Sequence, residues 1–110
     1  ESGLIRGYHA VLEPRKAGLE VTAFIFITSE SPKFYPKIIE RAGAHNEILE
    51  CHAITGDGSH ILKVCTESTA SLEKLLSEIQ AWPGVLNTRT DVVLSSPKET
   101  TILELKYLLT

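Results

Sequence analysis

The sequence predicts an α+β sandwich in which two amphipathic helices pack on one face of a small antiparallel sheet. Three observations predict it. Segments of apolar period two alternate with segments of period 3.6. Their order is strand, helix, strand, strand, helix, strand. The middle pair of strands flanks Gly56-Asp57-Gly58, a strong hairpin signal. The chain has 110 residues, of which 43% are hydrophobic and 23% charged, the size and composition of one globular domain.

Taken in order, residues 4–13 carry Ile5, Tyr8, Val11 and Leu12 and read as an extended lead-in strand that Pro14 ends. Residues 19–28 (LEVTAFIFIT) are rich in β-branched and aromatic residues and give the strongest strand pattern. Ser31-Pro32 marks a helix start, with serine as cap and proline in the first turn. Pro36 is tolerated only in the first turns, which moves the start toward Tyr35. Phe34, Ile38, Ile39 and Ala42 share one face, and Gly43 is the expected stop.

Residues 47–55 and 59–66 are the two hairpin strands. Ser68 or Thr69 caps a second helix, whose Leu72, Leu75, Leu76 and Ile79 follow the i, i+3, i+4, i+7 spacing. Pro83-Gly84 ends it. Residues 85–95 form a further strand, broken by Ser96-Pro97. Residues 101–107 form a last strand with Leu103, Leu105 and Tyr107 on one face. Without the first and last strands, this is two βαβ units in tandem. Right-handed crossovers then put both helices on one face of the sheet. The predicted fold is therefore a ferredoxin-like βαββαβ sandwich with an extra N-terminal lead-in strand and a C-terminal strand.

The strand patterns demand more cover than two helices supply. A sheet with one wet face alternates apolar and polar residues. Val21, Ala23, Ile25 and Ile27 are apolar on one side, yet Phe24 and Phe26 are apolar on the other, and Val92-Val93-Leu94 behaves likewise. Burying each Phe or Ile is worth roughly 1.5–3 kcal/mol, and several left in water make an interface patch. A second copy, sheet against sheet, is the simplest remedy. The alternative is that the lead-in and last strands fold back over this face.

Other classes find less support. Lysine and arginine total 11 against 14 acids, a net charge of −3, so no basic stripe exists to displace counterions from nucleic acid. No apolar run approaches the ~18 residues that cross a bilayer, and no signal segment opens the chain. Two cysteines are too few for a disulfide scaffold, which points to a reducing, cytoplasmic setting. The chain contains no methionine, as expected of a processed chain or a piece of a longer one. Cys51 and His52 are neighbours on a strand and point to opposite faces. Around the turn Cys51 falls opposite Lys63 or Val64, not Cys65. No metal site is expected. His9, His45, His52 and His60 are scattered and join no nucleophile motif, so no catalytic residue and no cofactor is assigned. A small dimeric ferredoxin-like enzyme remains an alternative of another class, as does a purely structural domain in which the hairpin is only a turn.

The hairpin is the most informative segment. Two glycines around an aspartate can leave backbone N–H groups pointing outward, a nest that binds a carboxylate. Asp57 could meet an ammonium group. Together they could hold a zwitterion such as a free amino acid.

Here the chain resembles a known family. Ile5-Arg6-Gly7-Tyr8, residues 21–27, the run Glu50-Cys51-His52-Ala53-Ile54-Thr55-Gly56-Asp57, and Pro83-Gly84-Val85 with Thr88-Arg89-Thr90-Asp91-Val92-Val93-Leu94 together resemble the Lrp/AsnC transcription regulators. The resemblance spans nearly the whole chain. It implies the family's C-terminal effector-binding and oligomerisation (RAM) domain, whose fold is ferredoxin-like. By the same resemblance, residues 1–16 are the connecting strand after a DNA-binding module that the chain lacks, and residues 17–110 are the domain itself. It implies a homodimer built through the sheets, assembly to an octamer, and a free amino acid bound between dimers. The effector positions it implies are Gly56, Asp57, Gly58, Ser59 and His60 in the hairpin, with Asp91, Val92 and Val93 on the strand. DNA would be met only through a helix-turn-helix outside this chain. The pattern departs from the family at Ser59 and His60, where many members carry a second acid and an aromatic, and at Asp91, where an aromatic is frequent. These departures bear on the effector's identity.

Overall fold

Alternation along the chain sorts side chains between two layers. In β1 (Val21–Ser29), Ala23, Ile25 and Ile27 are fully buried and Phe24 and Phe26 are half-buried on the other face. These assignments come from a computed structural model that describes residues 21–56 and 58–100. The expected lead-in strand, the expected last strand, the boundary at residue 16 and Asp57 lie outside the described residues.

A 3-10 turn (Pro32–Phe34) leads into α1 (Tyr35–Ala44), the start that Pro36 requires. Ser31 is extended and makes no side-chain cap hydrogen bond, so the expected serine cap is not formed. Nor is Gly43 the stop. The helix passes through it to Ala44, and the chain turns extended only at His45. The His45 ring explains this end: its Nδ1 accepts the Glu47 backbone N–H at 3.2 Å. Ile38 and Ala42 face the core, but Ile39 is 52% exposed, outside the apolar stripe predicted for it.

The hairpin is β2 (Ile48–Ala53) and β3 (His60–Thr66). Ser68 then caps α2 (Thr69–Gln80) by accepting the Ser71 N–H at 3.1 Å. Leu72, Leu75 and Ile79 are buried beneath α2, as the spacing predicts. β4 (Val85–Val92) completes the sheet and stops short of the predicted Ser95. The order is β2-β3-β1-β4 with every neighbouring pair antiparallel. This is the two-unit plan read from the sequence. The core joins Ala23, Ile25, Ile27, Leu62 and Val64 of the sheet to Ile38, Ala42, Leu72, Leu75 and Ile79 of the helices, with Trp82 at its margin.

A bulge breaks the alternation of β2. Ile48 pairs with Val64 but Glu50 pairs with Lys63, leaving Leu49 extra and half exposed. Ile48 and Cys51, an odd number of residues apart, therefore both pack on the core. Cys51 lies opposite Leu62, one place from the expected partners, because the hairpin closes through the Ala53–His60 pair. Both cysteines are free. Among the described residues, no helix is long and apolar enough to cross a membrane.

Candidate functional site

Two long strands need a connection, and residues 54–59 make it by bending twice at glycine. Gly56 and Gly58 both have φ +94°, the region L side chains avoid. The Ile54 N–H donates to the Ser59 carbonyl at 3.0 Å and closes the loop. The Ser59 N–H donates to the Ile27 carbonyl at 2.8 Å, and the Ser59 hydroxyl donates to the same oxygen at 3.3 Å. The loop is thereby pinned to the end of β1. Neither the Gly56 nor the Gly58 N–H has a partner among the described residues, as an anion nest requires.

Within this loop His60 turns inward. It is 1% exposed and lies on the helix side of the sheet. The edge of its ring meets Tyr35 at 4.8 Å between centroids. The Ser59 hydroxyl already donates to Ile27, so it accepts from His60 Nδ1–H at 2.8 Å. Burial holds the His60 imidazole below its ordinary pKa. Tyr35 is thus part of the hairpin's support, and no sequence signal links it to a residue 25 positions away.

The strand positions fall elsewhere. Asp91 pairs with Phe24 and Val92 with Ala23, while the Val93 N–H donates to the Thr22 carbonyl at 2.8 Å. The hairpin meets β1 at Ile27. By strand geometry the two groups are separated by about 10–17 Å along the strands and about 10 Å across the sheet. The structure brings Gly56, Gly58, Ser59 and His60 together at one end. It leaves Asp91, Val92 and Val93 near the opposite end on the other edge.

The face away from the helices carries Phe24 and Phe26 of β1 beside Ile61 and Lys63 of β3. Glu50 and His52 lie outside Lys63 and Ile61, with their side chains 2.9 Å apart. On the other flank the Arg89 guanidinium sits 4.1 Å from the Phe26 ring centroid and reaches Asp91 at 3.4 Å. An apolar centre with charged margins has the anatomy of a protein interface. His52 is on this face and His60 on the other, so the two imidazoles cannot serve one catalytic pocket. Among the described residues, no three His, Cys, Asp or Glu side chains gather to hold a metal ion. Burial pushes the half-buried Cys51 thiol above its ordinary value, away from nucleophilic reactivity.

Residues 22–103 match the Lrp/AsnC ligand binding domain. An HTH-type transcriptional regulator of Pyrococcus abyssi, FL11, is 36% identical over 106 residues, covering 96% of this chain and 70% of the relative. Its name, like that of the leucine-responsive regulatory protein of Haemophilus influenzae (36% identical, covering 96% of this chain and 66% of that protein), describes a regulator rather than an enzyme. Among solved structures, a Neisseria meningitidis transcriptional regulator complexed with L-Met superposes with a TM-score of 0.85 at 26% identity, covering 97% of this chain and 71% of that one. The family match and these relatives show that the chain belongs to the Lrp/AsnC family of transcription regulators, with residues 22–103 as its ligand-binding domain.

Proposed function

We propose that this chain is the effector-sensing and assembly part of an amino-acid-responsive regulator. A free amino acid binds where the hairpin of one copy meets β4 of another. The nest at Gly56 and Gly58 takes the carboxylate, Asp57 takes the ammonium group, and Ser59, His60, Asp91, Val92 and Val93 complete the pocket. The observation that carries this reading is the separation of the two groups within one protomer. Residues at opposite ends of a sheet can share a ligand only if a second copy brings them together. The complex of the Neisseria regulator with L-Met supports the ligand class.

The open face of Phe24, Phe26 and Ile61 supplies the dimer contact, and dimers go on to an octamer. Binding acts by favouring one assembly over another, which requires different affinity in the two. DNA contact falls to a helix-turn-helix outside this chain, in a cytoplasmic protein, a reading the −3 charge supports.

Light scattering at micromolar concentration, with calorimetric titration of each protein amino acid in turn, tests both halves. The expected result is a dimer or larger, with a mass distribution that shifts as one amino acid binds. A monomer overturns the assembly half, and the absence of heat with every amino acid overturns the effector half.

A further inference from the structure

A second recess lies on the helix face. Residues at the C-terminal ends of α1 and α2 line an open cleft of about 470 Å³: Arg41, Ala44, His45, Glu78, Ala81 and Trp82. Its floor is apolar: two alanines and the edge of Trp82, which is 7% exposed. Its rim carries both signs of charge.

Glu78 is held in place. His45 Nδ1 accepts the Glu47 backbone N–H, so the neutral ring carries its proton on Nε2, and that N–H donates to Glu78 Oε1 at 2.9 Å. A neutral donor orients the carboxylate without cancelling its charge, and the remaining lone pairs stay available. The C-terminal ends of two helices add partial negative charge beside it. A cation is favoured at this rim. On the α1 side the Arg41 guanidinium has no partner among the described residues, so its five donors are free to fork onto a carboxylate.

An oriented carboxylate, an unpaired guanidinium and an apolar floor make a pattern complementary to a zwitterion with an apolar side chain. We propose that the cleft between the C-terminal ends of α1 and α2 is a binding site for a free α-amino acid, contained within one protomer and independent of the hairpin. Arg41 takes the carboxylate, Glu78 takes the ammonium group, and Ala44, Ala81 and Trp82 take the side chain.

Trp82 is the only tryptophan in the chain, so its fluorescence reports the cleft directly. The test titrates the 110-residue chain with L-methionine, with N-acetyl-L-methionine, which lacks the ammonium charge, and with L-methioninamide, which lacks the carboxylate. The same titrations are run on Arg41→Gln, Glu78→Gln and, for the hairpin, Asp57→Ala. A saturable change with L-methionine is expected. It should weaken about tenfold in Arg41→Gln and in Glu78→Gln, as loss of one charge-assisted contact implies. It should weaken similarly with either modified ligand and persist in Asp57→Ala. The proposal is overturned if no saturable change occurs up to ~10 mM, if Arg41→Gln and Glu78→Gln bind like the parent, or if Asp57→Ala abolishes the signal. The hairpin reading stands or falls separately, on whether Asp57→Ala removes binding heat.

Discussion

Gly56 and Gly58 share one backbone angle and differ in what surrounds them, which makes them a matched pair. At Gly56 an added Cβ meets nothing within 4 Å. Gly56→Ala should cost only the left-handed backbone penalty of about 1–2 kcal/mol, partly offset because alanine also narrows the unfolded ensemble. The net is about 1 kcal/mol. At Gly58 the same Cβ would stand 2.8 Å from the Ile27 carbonyl oxygen. That oxygen is backbone of the central strand and already accepts two hydrogen bonds from Ser59. It cannot move aside without losing at least one, and a buried acceptor left short adds about 1–3 kcal/mol. Gly58→Ala should therefore cost about 3 kcal/mol. With a urea slope of roughly 1.5 kcal/mol/M for a domain of this size, the unfolding midpoint should fall by about 0.7 M for Gly56→Ala and about 2 M for Gly58→Ala. Protein concentration must be equal, since assembly contributes to apparent stability. Equal shifts for the two variants would refute the claim that the Ile27 carbonyl pins the hairpin.

Three further outcomes are expected. Phe24→Asp places a charge at the centre of the open face, costs the paired state several kcal/mol because a carboxylate there must be desolvated even beside Lys63, and should yield monomers by light scattering with unchanged far-ultraviolet dichroism. His60 has its folded pKa held below the unfolded value by burial, so the unfolded chain binds the proton more readily. Its contribution is complete above the unfolded pKa of about 6.5 and is lost as pH falls through the lower folded value. The urea midpoint should drop between pH 7.5 and pH 5.5, and less so in His60→Gln. Gly43 sits inside α1 with open space around its Cβ position, so Gly43→Ala should raise stability by about 0.5–1 kcal/mol, seen as a higher midpoint; a lower one contradicts the helical assignment there.

Much of the fold was legible because period and punctuation coincided. The buried Ala23, Ile25 and Ile27 against half-buried Phe24 and Phe26 are the two faces that alternation implied, and Leu72, Leu75 and Ile79 follow their spacing into the core. What failed was local competition. Gly43 looked like a stop, but the end of α1 is set by the His45 ring capturing the Glu47 N–H, an event two residues further on that no glycine rule contains. The bulge at Leu49 shifts half of β2 by one place, and single-strand periodicity carries no information about a partner's register. For the site, the hairpin glycines were visible as sequence. The burial of His60 beneath Tyr35 and the distance between the hairpin and Asp91 depend on pairing across the sheet, which only the folded chain defines.

The two proposed sites differ in how they depend on assembly. A ligand that needs the hairpin of one copy and β4 of another has no complete site on an isolated protomer. All its binding energy then appears as stabilisation of the assembly, about 2.7 kcal/mol at a ligand concentration of 100 times Kd. Its apparent affinity must fall as protein is diluted through the dissociation range, because the competent state becomes rarer. A ligand between Arg41 and Glu78 touches one protomer, so its affinity should not change on dilution, and it should leave the mass distribution unaltered. Phe24→Asp separates the two cases in a single protein. As a monomer it should lose the hairpin-linked heat while Trp82 still responds to L-methionine. If both signals vanish together, the cleft is not a site within one protomer; if both survive, the hairpin pocket does not require a second copy.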